Sequence, residues 1–110
     1  MKFVKIVIYV PVDHADNIRK VLARAGAGAV GNYDFCSFSV KGIGRFRGGK
    51  GSHPAIGVPG KLEQVEEERI ETICPAEKME QVIAAVKKNH PYEEPAIDIY
   101  PLLNDNDMRL

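Results

Sequence analysis

The segment His90-Pro91-Tyr92-Glu93-Glu94-Pro95 packs an imidazole, a phenol and two carboxylates between prolines. Proline fixes its own backbone torsion and restricts the residue before it, so these groups are held in a constant relation. A His–Glu pair held this way can bind a divalent metal or relay a proton. His90, Glu93 and Glu94 are therefore the candidate metal ligands, and His90 is the candidate acid/base. The competing reading is a turn that launches the next strand, its polar groups bonded locally or across a subunit contact. His14 and His53 do not extend the set, because no two histidines have H-x-x-x-H or H-E-x-x-H spacing. No Ser/His/Asp or Cys/His nucleophile can be assembled, so no catalytic residue is assigned.

A second chemical feature lies upstream. Between Phe35 and Leu62 there are five basic side chains (Lys41, Arg45, Arg47, Lys50, Lys61) and no acid. Residues 44–51 nearly spell a Walker A sequence, but Gly51 stands where a Ser/Thr hydroxyl would hold magnesium. Glycine-rich backbone with Arg and Lys can cradle phosphate or carboxylate oxygens. Arg45 and Arg47 are thus candidates for holding a small anionic ligand; the alternative is a solvated loop. The next stretch has the opposite sign, with Glu63, Glu66, Glu67, Glu68 and Glu71 against Arg69. Consecutive glutamates in a strand alternate faces, so they cannot all share one site and a solvated edge is the default reading; Glu66, Glu68 and the facing strand can still supply part of a polar pocket. In a long hairpin the two stretches lie close, and their charges pair within one subunit or between subunits.

These groups need elements to position them. Phe3 to Val10 reads as a strand, with Val4, Ile6, Ile8 and Val10 on one face. Phe3, Val7 and Tyr9 make the other face apolar too, so it needs a cover. Asp13 is the expected N-cap of a helix whose buried face is Ala15, Ile18, Val21, Leu22 and Ala25, stopped by Gly26. A literal G-x-G-x-x-G at 26–31 follows a helix and precedes a strand, the reverse of the dinucleotide fingerprint, so it reads as a helix end and turn. Tyr33 to Val40 is the second strand. Residues 41–60 hold too many glycines for a regular element, although 44–47 extend the strand briefly. Val65 to Cys74 is the third strand. Pro75 opens a second helix with the stripe Met79, Val82, Ile83, Val86, and Pro91 stops it at His90. Ala96 to Leu102 is the last strand.

The order β-α-β-β-α-β predicts an α+β ferredoxin-like sandwich: a four-stranded antiparallel sheet with two helices on one face. The 110 residues imply a single domain over 1–103 and a polar tail over 104–110. With 15 basic and 15 acidic residues the chain is not built to coat nucleic acid. No stretch approaches the ~20 apolar residues that span a bilayer, and the start lacks a signal-peptide pattern. Cys36 and Cys74 form no C-x-x-C, so two thiols in the cytoplasm are expected.

Several blocks carry a resemblance. They are residues 31–39 (GNYDFCSFS), Gly42-x-Gly44-x-Phe46-Arg47, Gly57, residues 60–63 (GKLE), residues 68–72 (ERIET) and residues 90–102 (HPYEEPAIDIYPL). In this order they resemble the domain inserted in longer bacterial members of the Nif-three-like family, the YqfO type or GTP cyclohydrolase I type-2 homologues. The His90–Glu93 turn also resembles CutA, a trimeric relative of the PII signalling proteins. The resemblance spans Phe3 to Leu102 and implies a free-standing CutA/PII-like domain that forms a homo-oligomer, a trimer. The histidine-rich two-metal motifs of the longer proteins are absent, so their ligands and hydrolase activity are not carried over. The expected function is a small trimeric binding or regulatory module with a ligand or divalent metal at subunit junctions. Its expected ligand residues are Asn32, Tyr33, Cys36, Arg45, Arg47, His90, Tyr92 and Glu93. Two alternatives are an enzyme with a composite interface site using His90, and a module docking an anionic partner through the basic loop.

Overall fold

Strand β1 (Phe3–Pro11) alternates as its sequence requires. Val4, Ile6, Ile8 and Val10 are at most 2% exposed, and they face the helices. The computed structural model describes residues 2–103; the tail expected at 104–110 lies outside the described residues. Strand β1 is central. It pairs antiparallel with β3 (Leu62–Pro75) on one side and β4 (Ile97–Pro101) on the other, and β2 (Phe38–Arg47) flanks β3. The sheet order is β2-β3-β1-β4, that of a ferredoxin-like sandwich.

Helices α1 (Ala15–Ala25) and α2 (Met79–Asn89) cover one face. Ala15, Ile18 and Leu22 from α1 and Val82 and Val86 from α2 meet Ile6, Ile8, Ile70 and Cys74 in a single core. Burying such an aliphatic side chain contributes roughly 1.5–3 kcal/mol. Gln81 Nε2 donates to the Ala25 carbonyl at 2.8 Å, tying α2 to the end of α1. Gly26 ends α1 at φ 121°, where a side chain would be strained. Both helices are entered alike, through a proline and a 3-10 turn. Pro11 precedes Val12–His14, and Pro75 precedes Ala76–Lys78. Asp13 therefore lies inside a turn and caps nothing, and Pro75 is the last residue of β3, not the first of a helix. Pro91 does stop α2, with His90 extended at φ −80°, ψ 138°.

The second strand departs most from expectation. It begins at Phe38, not Tyr33, and runs to Arg47 through Gly42 and Gly44. Residues 28–36 are held in a connection of their own. The Gly28 N–H donates to the Ile73 carbonyl, and the Cys36 N–H donates to the Gly28 carbonyl. Thr72 Oγ1 donates to the Cys36 carbonyl at 2.7 Å. Phe35, at φ 56°, breaks the extended run. Downstream, the long β3 carries its partner past the glycines, pairing Gly42 with Glu67, Gly44 with Val65 and Arg47 with Leu62.

Candidate functional site at the narrowing of the sheet

Strand β3 outruns β1. Their pairing ends at Pro11 opposite Glu67, and beyond it only the β2–β3 arm continues. An open cleft of about 710 Å³ lies at this step. Tyr9, Phe46, Glu67 and Tyr92 line it, with Arg45, Arg47 and the glycine loop at 48–55 around the rest.

Glu67 is 9% exposed. The Tyr92 hydroxyl donates to its Oε2 at 2.6 Å. Gly44 makes room for the carboxylate, because a Cβ at that position would run into it. Burial first, and then the Glu67 carboxylate, push the Tyr92 phenol well above its ordinary pKa, so it stays a donor. Its ring centroid is 5.9 Å from that of Phe46 and 5.1 Å from that of His90.

His90 is 8% exposed and both its ring nitrogens are engaged. Nε2 lies 2.8 Å from the Tyr9 carbonyl, and the Tyr92 N–H donates to Nδ1 at 3.1 Å. The second bond makes Nδ1 an acceptor, so Nε2 carries the proton and donates to Tyr9 in the neutral ring. Burial lowers the His90 pKa from 6.5, opposed by the Tyr9 carbonyl and the Glu67 charge. Glu93 is engaged as well: its two oxygens accept the His53 backbone N–H at 3.1 and 3.3 Å, tying the glycine loop to the turn.

The expected residues thus separate. Arg45, Arg47, Tyr92, Glu93 and Glu94 line the cleft, and His90 braces Tyr92 from behind. Asn32, Tyr33 and Cys36 lie on the connection from α1 to β2 and line no part of the cleft. Among the described residues, no three His, Cys, Asp or Glu side chains converge as a metal site. His90, Glu93 and Glu94 are therefore not assembled as a ligand set: His90 is held on both nitrogens, and Glu93 holds a backbone amide.

Tyr9, Phe46 and Glu67 are among the cleft residues that were not foreseen. For Glu67 the signal was present. Ile70 and Cys74 mark the helix-facing side of β3, so even-numbered Glu68 belongs with them and Glu67 faces the other way. Glu68 is taken by Arg19 of α1 at 2.6 Å, and Glu66 is exposed. The charge halves of the hairpin also pair differently than expected. Their one mutual ion pair among the described residues is Lys61–Glu63 at 3.9 Å. Glu71 takes Lys5 at 3.2 Å and approaches Arg69 Nε at 3.2 Å, although that buried N–H is not directed at it and stays without a hydrogen bond. Among the described residues, Lys41, Arg45, Arg47 and Lys50 have no ion pair. Cys36 and Cys74 are both unpaired thiols; burial raises the Cys74 pKa and keeps it inert. No described helix is long and apolar enough to cross a membrane.

No family model matches the chain. A GTP cyclohydrolase 1 type 2 homolog from Halalkalibacterium halodurans is 50% identical over 103 residues, covering 94% of this chain and 28% of that protein. A Bacillus cereus protein related to NIF3 superposes with TM-score 0.81 at 50% identity, over 94% of this chain and 26% of that one. CutA from Archaeoglobus fulgidus, at 23% identity, shares the fold with TM-score 0.68 over 93% of this chain and 85% of its own. The chain thus spans about a quarter of the GTP cyclohydrolase homologues it matches and most of CutA. It is a homologue of one segment of the Nif-three-like GTP cyclohydrolase 1 type 2 homologues, and that segment has the CutA-like fold.

Proposed function

We propose that this domain is a self-associating module that binds a small ligand in the cleft and acts as a binding or regulatory unit. The cleft carries the reading: Tyr9, the 44–55 segment, Glu67 and the 92–96 turn converge there from four parts of the chain. A concave site with some aromatic wall and a few convergent polar groups is the usual form of a small-molecule site.

Self-association is supported by the sheet face away from the helices, which keeps Val7 buried but leaves other apolar groups exposed. Register puts Phe38, Val40 and Tyr100 on it, away from the helices, and they are 65%, 46% and 43% exposed. Apolar groups gathered on one face favour a protein partner. The likeness to CutA makes a trimer the proposed state. That neighbour is named for divalent cation tolerance. Here the engaged nitrogens of His90 favour a molecular ligand over a resident metal, and they equally weaken an acid/base role. Two unpaired thiols fit a cytoplasmic setting.

Two measurements test this. Sedimentation equilibrium should give three times the chain mass. Backbone NMR during titration with inorganic phosphate, zinc, mononucleotides and amino acids should show at least one probe moving the amides of Gly44 and Tyr92. A monomer whose cleft responds to none of these probes would overturn the proposal.

A further inference from the structure

The sheet face away from the helices has a charge layout of its own. Register sets Asp98 of β4 level with Val7 of β1 and Glu71 of β3, and Arg69 of β3 level with Tyr9 and Val40. Directly paired residues share a face, so Arg69, Glu71 and Asp98 lie on this one together with Lys5, two residues from Val7. Lys5 and Glu71 pair at 3.2 Å. Arg69 Nε approaches the same carboxylate at 3.2 Å, yet it is buried and makes no hydrogen bond. One carboxylate thus serves two cations. Asp98 is exposed and has no ion pair among the described residues. Strand β1 stands between Arg69 and Asp98, so two strand spacings, roughly 10 Å, separate their backbones within one chain.

Arg69 is preorganised to receive an anion. Its guanidinium lies over the Tyr9 ring, 5.9 Å from the centroid, which holds the planar fork on the face. The side chain is still 36% exposed, so a carboxylate can reach it. Phe38, Val40 and Tyr100 surround it with exposed apolar groups, and whatever covers them buries Arg69 as well. A guanidinium buried without a carboxylate is costly. A purely apolar cover leaves it unpaired. A second copy brings both an apolar surface and an unpaired Asp98. The next carboxylate along the face, Glu67, is nine-tenths buried and holds the Tyr92 hydroxyl.

We propose that this face docks a second copy of the chain through an ion pair between Arg69 and the partner subunit's Asp98. The inference rests on the self-association reading and names the contact that sets its alignment. A closed ring joins two different patches of each copy, and Arg69 and Asp98 lie on different strands as that requires.

The experiment is sedimentation equilibrium of the intact chain over a range of concentrations. Asp98→Asn and Arg69→Gln should each weaken association on the order of tenfold or more. Combining them should cost no more than the worse single change, because no charge is then buried alone. Arg69→Glu and Asp98→Arg should each abolish association, and the two together should recover it. Asp98 is exposed on an edge strand, so Asp98→Asn should keep the parent's thermal unfolding midpoint in dilute solution, and it carries the test even if an Arg69 variant fails to fold. If the parent associates and Asp98→Asn associates as tightly, self-association stands and the ion pair falls. If the two neutral changes simply multiply, or the double reversal stays apart, the residues do not meet and the pairing is wrong. If the parent is a monomer at every concentration, both readings fall.

Discussion

The two halves of β3 show how one strand serves different ends. From Glu67 to Pro75 it has β1 on one side, with β2 on the other as far as Glu71, and Ile70, Thr72 and Cys74 are buried beneath the helices. From Leu62 to Glu66 it has β2 alone, and Leu62 is 73% exposed. The inner half is held by hydrophobic burial, which is non-directional and large. The outer half is held by ladder hydrogen bonds and leaves Leu62, Gln64 and Glu66 exposed to the solvent. The cleft forms at the border, where Tyr9, Glu67 and Gly44 meet. A buried carboxylate is tolerated there because Tyr92 supplies a donor and the arm leaves a gap.

The sharpest way to break this contrast is to make the same truncation on each side of the border. Ile8 is fully buried between Ile70 and Ile97, and Ile43 on the arm is 49% exposed. Ile8→Ala should cost about 2–5 kcal/mol of unfolding free energy in urea. Ile43→Ala should cost less than about 1 kcal/mol in the same titration. Equal losses would mean that something buries the arm. If the Ile43→Ala loss also grew with protein concentration, the cover would be a second copy.

The next effect lies on the border. Gly44→Ala forces a methyl group into the Glu67 carboxylate, and should destabilise by about 1–3 kcal/mol. Gly42→Ala, one pleat earlier, meets nothing within 4 Å and should be neutral or slightly stabilising. If the two alanines behave alike, Glu67 does not occupy the place behind Gly44.

A smaller effect concerns pH. The folded state holds His90 neutral, with a pKa below its ordinary 6.5. As pH falls through 6.5 the unfolded chain takes up a proton and the folded chain does not, so stability declines. The contribution is complete above 6.5 and is lost progressively below it, toward the lowered folded value. The urea midpoint should therefore fall between pH 7 and pH 5, and His90→Gln should flatten that part of the curve. An unchanged slope in the variant would assign the decline to the carboxylates.

The same border separates what the sequence made legible from what it did not. Burial writes itself into periodicity, so β1, both helix stripes and the four-stranded topology follow from residues such as Val4, Ile6, Ile18 and Val82. The arm lacks that signature. Gly42 and Gly44 read as loop because glycine weakens a strand, yet the pairing with β3 holds them in register. Tyr33 to Phe35 read as strand because their types favour one, yet hydrogen bonds from Gly28, Cys36 and Thr72 hold the chain in a turn. At the site, Tyr92, Arg45 and Arg47 were legible from charge and motif. Tyr9 and Phe46 looked like ordinary strand residues, and only the third dimension brings them to Glu67.

The smallest predicted effect separates a latch from a support. The glycine loop touches the inner part of the molecule through the Glu93 carboxylate and the His53 amide. Glu93 is exposed, so solvent screens the bond, and its loss should cost less than about 1 kcal/mol. Glu93→Gln keeps one oxygen but removes the charge that makes the bond strong. Hydrogen exchange at His53 should speed up in this variant, while the amides of Ile6 and Ile70 stay as protected as before. Faster exchange confined to the loop places the latch on the arm's side of the border. If Ile6 and Ile70 also lose protection, arm and core open together, and the division of β3 into two regimes is wrong.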